Sequence, residues 1–452
     1  MTKDQLKNLR LEEFQAPNQV LLYGAGLMGR LLVDSYRRCG IHVVGFIDKN
    51  KQGTVETESG ALPVYSIDTA VNAFGREIIV VITIANAKYF PEIVSDLTAA
   101  GVAEERIFDW SFANWITVPS DRCYCEMLFG NSVLLSGALA QCCFWGENHV
   151  FNVETLEAGM PPEETVRNYA EKLRHYHAKA LKGEVPAYCV GCPHLEDRPV
   201  EKELLLKQVV FSASAHCNAE CVYCTAILET EVEKLPYDAK GYGELFLSTL
   251  RCLDGNGLLD PDVKIAYAGG EISVSPMRKE LTEFALTHPN YQHRFLSNCV
   301  VYNEGIAQVL ARNPRSEVMC DLDAGTPESY LLMKGFGFFD KVVENLRKYA
   351  ANGRVILKYI VMPGFNTSME DYLGTVRLLK ELGLTELILS QDHLHTMDLY
   401  AERRSLFEVA RFKRLLEDNG IEGILFQDSF SVRQTRLVER FYRQMPVKGD
   451  TT

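Results

Sequence analysis

The pattern of apolar and polar residues predicts two regions in which β-strands alternate with α-helices. The first region has four predicted strands, at 19–23, 43–47, 77–82 and 106–108. Helical patterns follow the first strand, up to about Cys39, and span roughly 91–100. This alternation is typical of a small parallel α/β sheet.

The second region begins near Gln208, and its alternation lasts to about residue 426. Six strands are predicted in it, at 208–213, 263–268, 293–297, 316–321, 354–361 and 385–390. Helical stretches separate the strands, so the region has six βα units, as in a partial or open (β/α) barrel. An Arg-rich helix is predicted for 430–445.

The residues between the two regions combine short apolar runs with Gly, Pro, six cysteines and one clear helix at 162–181. We therefore predict an α/β protein in four parts. These are a Rossmann-like module (1–117), a cysteine-rich bridge (118–205), a partial (β/α)6 barrel (206–428) and a C-terminal helix with its tail (429–452).

Composition narrows the classes of partner. The 452 residues carry a formal net charge of −13, which argues against binding nucleic-acid phosphates, since these need a basic face. No apolar run approaches the roughly 18–20 residues that span a bilayer, and the charged start lacks the apolar core of a signal peptide. We therefore expect a cytoplasmic protein with no nucleic-acid or membrane partner. Of its 13 cysteines, we expect the clustered ones to bind metal rather than to form disulfides, and the isolated Cys39, Cys252 and Cys320 to be small core residues.

The strongest chemical signal is a cysteine triplet directly after the first barrel strand. Cys217, Cys221 and Cys224 stand at i, i+4 and i+7, and three thiolates can hold three irons of a [4Fe–4S] cluster while the fourth iron stays open for a small molecule. The alternative is zinc held by two CxxC pairs, 189/192 and 221/224. Their separation exceeds the usual spacing of roughly 15–20 residues, and Cys217 would be left over.

This CxxxCxxC motif, with Tyr223 before its last cysteine, resembles the radical S-adenosylmethionine (radical SAM) superfamily over residues 206–426. The resemblance implies a [4Fe–4S] cluster whose open iron takes the amino and carboxylate groups of S-adenosylmethionine. One electron then splits the sulfonium and yields a 5′-deoxyadenosyl radical. Tyr223 would stack on the adenine; its alternative is a loop aromatic that packs on the barrel.

Further positions match the superfamily at successive strand ends. Gly269, Gly270 and Glu271 resemble the Gly-Gly-Glu motif that meets the methionine amino group of the cofactor, because glycine lets a backbone approach closely. Polar residues then follow the later strands, in the positions where relatives bind the rest of the cofactor: Ser297, Asn298, Asp321, Asp323, Lys358 and Gln391. Capping and loop roles remain the alternative for these six residues. Cys299 is a candidate hydrogen-atom donor to a substrate radical, with core packing as its alternative.

The cysteines of the bridge suggest a second metal site. Their order resembles the auxiliary-cluster modules called SPASM and Twitch, although those modules follow the barrel and these cysteines precede it. The implied ligands are Cys125, Cys142, Cys189 and Cys192, with Cys123 and Cys143 as substitutes. An auxiliary [4Fe–4S] cluster, a structural zinc and no metal all remain open.

The amino-terminal module carries a glycine-rich turn between a strand and a helix. Gly24, Gly26 and Gly29 followed by Asp48 fit a dinucleotide fingerprint, in which phosphate meets the helix N-terminus and the acid meets ribose hydroxyls. The same residues resemble the small domain in front of nucleotide-sugar acyltransferases. Binding of a nucleotide-linked substrate, a structural or dimerising role, and NAD(P) binding are the three interpretations.

Three functions follow from these features. The first is a radical SAM enzyme, of oxidoreductase, isomerase or transferase class, that acts on a nucleotide-linked or sugar-like small molecule and is reduced by flavodoxin or ferredoxin. The second is a radical enzyme that modifies a ribosomal peptide. The third is a non-catalytic iron–sulfur or zinc scaffold that binds a nucleotide.

Overall fold

The computed structural model describes most of the chain. The described residues are 9–10, 18–38, 41–57, 60–84, 89–109, 115–117, 124–135, 138–140, 152–155, 161–186, 196, 198–212, 216–224, 239–392, 399–426, 430 and 432–445. They divide into two compact units. Unit 1 comprises 1–131, 139–155 and 167–205, and unit 2 comprises 132–138, 156–166 and 206–452.

Strands in the described part of the chain are labelled in chain order. They are β1 Leu9–Arg10, β2 Val20–Tyr23, β3 Val43–Ile47, β4 Gly53–Thr57, β5 Gly60–Tyr65, β6 Ile79–Ile82, β7 Ile107–Asp109, β8 Trp115–Thr117, β9 Asn131–Leu135, β10 Ala138–Ala140, β11 Asn152–Thr155, β12 Glu184–Pro186, β13 Leu206–Ser212, β14 Leu259–Ala268, β15 Gln292–Leu296, β16 Glu317–Asp321, β17 Arg354–Val361, β18 Glu386–Gln391 and β19 Glu422–Leu425.

Helices in the same residues are labelled likewise. They are α1 Leu27–Arg38, α2 Ile67–Phe74, α3 Phe90–Ala99, α4 Glu126–Phe129, α5 Pro162–Ala180, α6 Ala239–Gly255, α7 Arg278–Thr287, α8 Glu304–Arg312, α9 Pro327–Lys334, α10 Phe339–Asn352, α11 Met369–Glu381, α12 Leu399–Glu417 and α13 Val432–Gln444. Single 3₁₀ turns occur at Glu104–Arg106 and Ile272–Val274. None of the described helices is long and apolar enough to cross a membrane.

Unit 1 contains the predicted parallel sheet. Its strand order is β4-β5-β3-β2-β6-β7, and the neighbours pair in parallel except for β4 and β5. The central strand β2 is buried along its whole length, as expected for a parallel sheet with helices on its faces. The four predicted strands are confirmed within two residues at each end, whereas the β4–β5 hairpin is an addition that the pattern does not predict.

Unit 2 contains a sheet in which β13 to β19 follow one another in sequence order, with β9 beside β13. Each neighbouring pair from β13 to β19 is parallel. The six predicted strands are confirmed, and β19 is a seventh that sequence patterning does not predict. The carboxyl ends of parallel strands lie at one edge of a sheet, and this edge carries the site.

The core of unit 2 is rich in buried aromatic side chains. Tyr372 and Phe412 stack with ring centroids 4.1 Å apart, and Tyr267 stacks on Phe295 at 4.7 Å. Such large fully buried side chains supply much of the apolar area that holds helices against the sheet.

Candidate active site

The cysteine loop, residues 216–224, follows β13 at the carboxyl edge of the sheet. Cys217 is exposed, and Cys221 and Cys224 are half-buried. The Cys224 amide donates to the Cys221 carbonyl at 3.0 Å, which closes a tight turn between the last two cysteines. The loop therefore presents three thiols at the surface of unit 2.

The donor chemistry of this loop fits an iron–sulfur cluster. In the described part of the chain, no three His, Cys, Asp or Glu residues are grouped to hold a single metal ion. A cubane cluster bonds its cysteines to different irons, so the thiols need not meet at one point. Burial raises the pKa of the Cys221 thiol to about 11 against the opposing effect of Lys334. This thiol therefore holds its proton until iron displaces it.

Two backbone hydrogen bonds fix the middle of the cysteine loop. The Glu220 amide donates to the Lys334 carbonyl at 3.1 Å, and the Val222 amide donates to the Met333 carbonyl at 3.0 Å. Both acceptors belong to the last turn of α9, whose carbonyls lack partners within the helix. Cys221 thus lies between two residues that are tied to α9.

Tyr223 directs its hydroxyl into the protein. The hydroxyl donates to Asp323 Oδ2 at 2.5 Å, and it accepts from Lys334 Nζ. Its ring packs on Met333, Ile360 and Met362. Burial raises the pKa of Tyr223 well above its ordinary value, and the Asp323 carboxylate adds to this effect. Stacking of the ring on adenine remains a prediction.

Lys334 is a residue that sequence reasoning missed. Its side chain is 2% exposed and forms a 2.6 Å ion pair with the fully buried Asp323, and its ammonium also donates to the Asp321 carbonyl. Burial acts to lower the pKa of Lys334, but Asp323, Cys221 and Asp321 outweigh it and hold the pKa above its ordinary value. The available signal was a single lysine after the apolar run Tyr330–Met333.

Gly269, Gly270 and Glu271 follow β14 next to the cysteine loop. Both glycines are exposed and have positive φ, 72° and 56°, a conformation that glycine adopts without steric cost. The Glu271 amide donates to the His216 carbonyl at 2.8 Å, which joins this turn to the start of the cysteine loop. The turn therefore exposes its backbone beside the loop that carries the thiols.

The Glu271 carboxylate is 1% exposed and joins two strand ends. Its Oε1 accepts from the Ser273 amide at 2.8 Å and the Ser297 hydroxyl at 2.9 Å. Its Oε2 accepts from the Asn298 amide at 2.6 Å. Burial raises the pKa of Glu271, and these hydrogen bonds partly offset that effect.

Asn298 reaches from the end of β15 to the cysteine loop. Its Nδ2 donates to Asn218 Oδ1 at 2.7 Å and lies 3.9 Å from Cys217 Sγ. Glu271, Ser297 and Asn298 are therefore brought together with the first cysteine, as their positions after consecutive strands predict.

The polar residues of the later strands lie at the same edge but differ in accessibility. Asp321 and Lys358 are register partners on β16 and β17, and Lys358 Nζ lies 3.5 Å from Asp321 Oδ2. Asp323 is fully buried, and its Oδ1 also accepts from the Ile360 amide at 2.6 Å. Gln391 is 3% exposed and donates to Gln434 of α13 at 2.9 Å.

Cys299 follows Asn298 in a left-handed backbone conformation, with φ of 58°. Its thiol is fully buried and contacts the Ser297 carbonyl at 3.6 Å. A thiol enclosed in this way favours the packing interpretation over a role as hydrogen-atom donor.

Of the predicted auxiliary ligands, only Cys125 lies within the described residues. It is 5% exposed and belongs to a hydrophobic cluster of unit 1 that includes Leu128 and Phe129. The other ligand candidates, at positions 123, 142, 143, 189 and 192, lie outside the described residues.

The glycine-rich turn of unit 1 is braced by Asp48. Asp48 Oδ2 accepts from the Ala25 amide at 2.9 Å, and its Oδ1 accepts from the amides of Asn50 and Lys51. Lys51 Nζ in turn donates to the Ala25 carbonyl at 2.9 Å. In the fold Asp48 holds the turn, and its contact with a ribose hydroxyl stays a prediction.

The three glycines of this turn have different surroundings. Gly24 has φ of 112°, and a Cβ on Gly29 would lie 2.1 Å from the Gly24 carbonyl oxygen, whereas a Cβ on Gly26 would meet nothing within 4 Å. Gly24 and Gly29 therefore shape the turn, and Gly26 leaves open space above it.

Comparison with protein families gives two matches. Residues 211–379 match the model of the radical SAM superfamily, and residues 19–97 match the model of the PglD N-terminal domain. The comparison with curated proteins gives no match.

Comparison with solved structures gives matches at low identity. Streptococcus suis SuiB bound to S-adenosylmethionine is 14% identical, with a TM-score of 0.39 over 57% of this chain and 56% of that one. TYW1 with a lysine–pyruvate adduct bound is 15% identical, with a TM-score of 0.35 over 47% of this chain and 74% of that one. Spore photoproduct lyase complexed with a dinucleoside spore photoproduct is 14% identical, with a TM-score of 0.31 over 54% and 68%.

The chain spans little more than half the length of the SuiB chain that it matches. Since each TM-score lies below 0.5, these structures carry no inference about the substrate here. The two family matches show that the chain carries a radical SAM domain at residues 211–379 and a PglD N-terminal domain at residues 19–97, as the two resemblances in the sequence predict.

Proposed function

We propose that the chain holds a [4Fe–4S] cluster on Cys217, Cys221 and Cys224, cleaves S-adenosylmethionine reductively and takes a hydrogen atom from a small substrate. The observation that supports this most is the joining of the cysteine loop to the Gly269–Glu271 turn. The Glu271 amide donates to the His216 carbonyl, so the cysteine loop and the exposed glycine backbone are neighbours in unit 2.

When bound, the cluster and the cofactor would supply one-electron cleavage of a sulfonium. The residues of the chain position the reactants. Exposed backbone at Gly269 and Gly270 admits the methionine end of the cofactor, because neither residue has a Cβ. Glu271 orders the two strand ends through its three hydrogen bonds. Asp321 and Lys358 offer opposite charges for the polar groups of the cofactor or substrate.

The proposed substrate is linked to a nucleotide or resembles a sugar. Its support is the match of residues 19–97 to the PglD N-terminal domain together with the open space above Gly26. Flavodoxin or ferredoxin is the proposed electron donor, since reductive cleavage needs one electron from a low-potential carrier.

A second [4Fe–4S] cluster, held by Cys125, Cys142, Cys189 and Cys192, is proposed as an electron relay or substrate anchor. Its support is the number and spacing of these cysteines. On anaerobic reconstitution the wild-type chain is then expected to bind about eight irons, and about four without this site. A count near four would refute the second cluster and leave the first untouched.

The test of the main proposal is the variant Cys221→Ala. After reconstitution with iron and sulfide, wild-type protein given dithionite and S-adenosylmethionine is expected to form 5′-deoxyadenosine, and the variant none, because the cluster loses one of three ligands. Cys252→Ala is the matched control, since Cys252 lies half-buried on α6 outside the loop and should leave turnover unchanged.

If Cys221→Ala still formed 5′-deoxyadenosine, the assignment of Cys217, Cys221 and Cys224 as cluster ligands would be refuted. If the wild-type chain bound zinc and formed no 5′-deoxyadenosine, the proposed cluster chemistry would be refuted.

A further inference from the structure

The last turn of α9 and the cysteine loop form one packed unit. Hydrogen bonds from Glu220 and Val222 to Lys334 and Met333 lie on either side of Cys221. Gly335, which ends α9 with φ of 79°, approaches Glu220 so closely that a Cβ would lie 3.0 Å from the Glu220 Cβ. The position of Cys221 is therefore set by α9 as well as by the loop itself.

The Lys334 side chain adds a second set of contacts between α9 and the cysteine loop. Its ammonium binds the Tyr223 hydroxyl and the Asp321 carbonyl and forms the buried pair with Asp323. Tyr223 lies between Cys221 and Cys224 in the chain, so one ammonium holds the segment that joins two of the three thiols.

The charge of Lys334 lies next to the segment that joins the last two cysteines. Its Nζ lies 5.0 Å from the centroid of the Tyr223 ring, and its side chain is 2% exposed. In a low-dielectric interior such a charge is poorly screened.

We propose that Lys334 is a positioning residue for the cluster: it fixes Tyr223 between Cys221 and Cys224, and it places a buried positive charge beside the segment that carries these two ligands. This inference rests on the proposed function. Reduction adds one negative charge to the cluster, so a nearby buried cation stabilises the reduced form and raises the reduction potential.

The charge of Asp323 acts in the opposite sense. Removing the lysine should make the cluster harder to reduce, and removing the aspartate should make it easier. A purely structural role would disturb the loop in both variants and would not give shifts of opposite sign.

The experiment is a redox titration of the reconstituted chain without S-adenosylmethionine, followed by the electron paramagnetic resonance of the reduced cluster. Lys334→Met is expected to lower the equilibrium constant for reduction about tenfold, which is about 59 mV for a one-electron couple. Asp323→Asn is expected to shift the potential in the opposite direction.

Lys334→Met leaves a buried carboxylate without its partner and can fail to fold. The double variant Lys334→Met/Asp323→Asn removes both charges, and we expect it to fold and to titrate between the two single variants. Lys341→Met is the matched control, because Lys341 is an exposed lysine on α10 paired with Glu344; it should leave the potential unchanged.

The role of Lys334 would be overturned if the reduction potential shifted in the same direction in both single variants. It would also be overturned if their potentials equalled that of Lys341→Met. A wild-type chain that takes up no reducible cluster would refute the proposed function itself. The two failures are therefore distinguishable.

Discussion

At the scale of single residues, His293 shows how burial couples a side chain to pH. It is fully buried on β15, where Nδ1 lies 3.1 Å from the Tyr267 hydroxyl and Nε2 lies 3.0 Å from the His288 carbonyl. Burial lowers its pKa to about 4, from an ordinary value of 6.5. The folded chain therefore keeps this ring neutral at a pH where the unfolded chain protonates it.

The stability that His293 contributes is present in full above about pH 6.5 and is lost as the pH falls toward 4. Between these values the unfolded chain binds one more proton, so the free energy of unfolding rises with pH, by about 3 kcal/mol in total. His293→Gln is expected to remove this part of the pH dependence, measured by urea unfolding at pH 7 and pH 4. The exposed His175→Gln should retain it, and equal pH dependence in His293→Gln and wild type would contradict the account.

Residues of the site differ in how far sequence predicts them. The cysteines, Gly269 to Glu271 and Asn298 are recognisable because their spacing after strands is fixed by the chemistry. Lys334 is not recognisable from the sequence, because its partner Asp323 is eleven residues away. The strength of this ion pair depends on burial, which only the fold provides. Asp323 is predicted to contact the cofactor; in the fold it is fully buried and paired with Lys334, and the cofactor contact stays a prediction.

At the scale of elements, α11 packs with unusual closeness on the loop after β16. A Cβ on Gly374 of α11 would lie 2.1 Å from the Gly325 carbonyl oxygen, and a Cβ on Gly325 would lie 1.8 Å from the Asp371 carbonyl oxygen. The Asp371 side chain also accepts from the Gly325 amide at 3.2 Å. This contact fixes the loop that carries Asp323 and leads into α9.

Gly374→Ala is expected to destabilise unit 2 by about 1–3 kcal/mol, because backbone atoms on both sides must shift to admit a methyl group. The measurement is the midpoint of urea unfolding. Gly337→Ala is the control, since a Cβ there meets nothing within 4 Å, and it should leave the midpoint unchanged or slightly raised. An unaltered midpoint for Gly374→Ala would contradict this prediction, because the backbone around Gly325 would then accommodate the methyl group at little cost.

Elements that sequence patterning misses are those whose pattern is weak for a physical reason. Strand β19 has four residues and contains Gly423, so neither length nor β-propensity marks it. Its pairing with β18 comes from the sheet. Strand β4 is largely exposed, so it lacks the alternation of apolar residues that reveals a half-buried strand.

At the scale of the whole molecule, the proposed nucleotide site of unit 1 can be tested without disturbing the fold. A Cβ on Gly26 meets open space, yet a phosphate that approaches the turn would meet the methyl group. We expect a nucleoside diphosphate sugar to bind the full chain more tightly than NAD, and Gly26→Ala to weaken that binding about tenfold.

Isothermal titration of wild type and variant, with thermal unfolding alongside, separates these effects. Gly29→Ala is the contrasting variant, because its Cβ would collide with the Gly24 carbonyl and should lower the unfolding temperature. Tighter binding of NAD than of any nucleotide sugar would reverse the assignment, and no binding of either would favour a structural role.

The link between the cysteine loop and α9 has a consequence for how the cluster would be assembled. Tyr223 and Lys334 are 111 residues apart in the chain, so the loop reaches its final geometry only after β14, β15 and β16 have been added to β13. Contacts of such long sequence separation form late in folding. Before these strands have paired, the three thiols are not yet held in their final positions. We therefore expect a cluster to be inserted after unit 2 has folded. Iron and sulfide supplied after refolding should be retained better than iron and sulfide supplied during refolding.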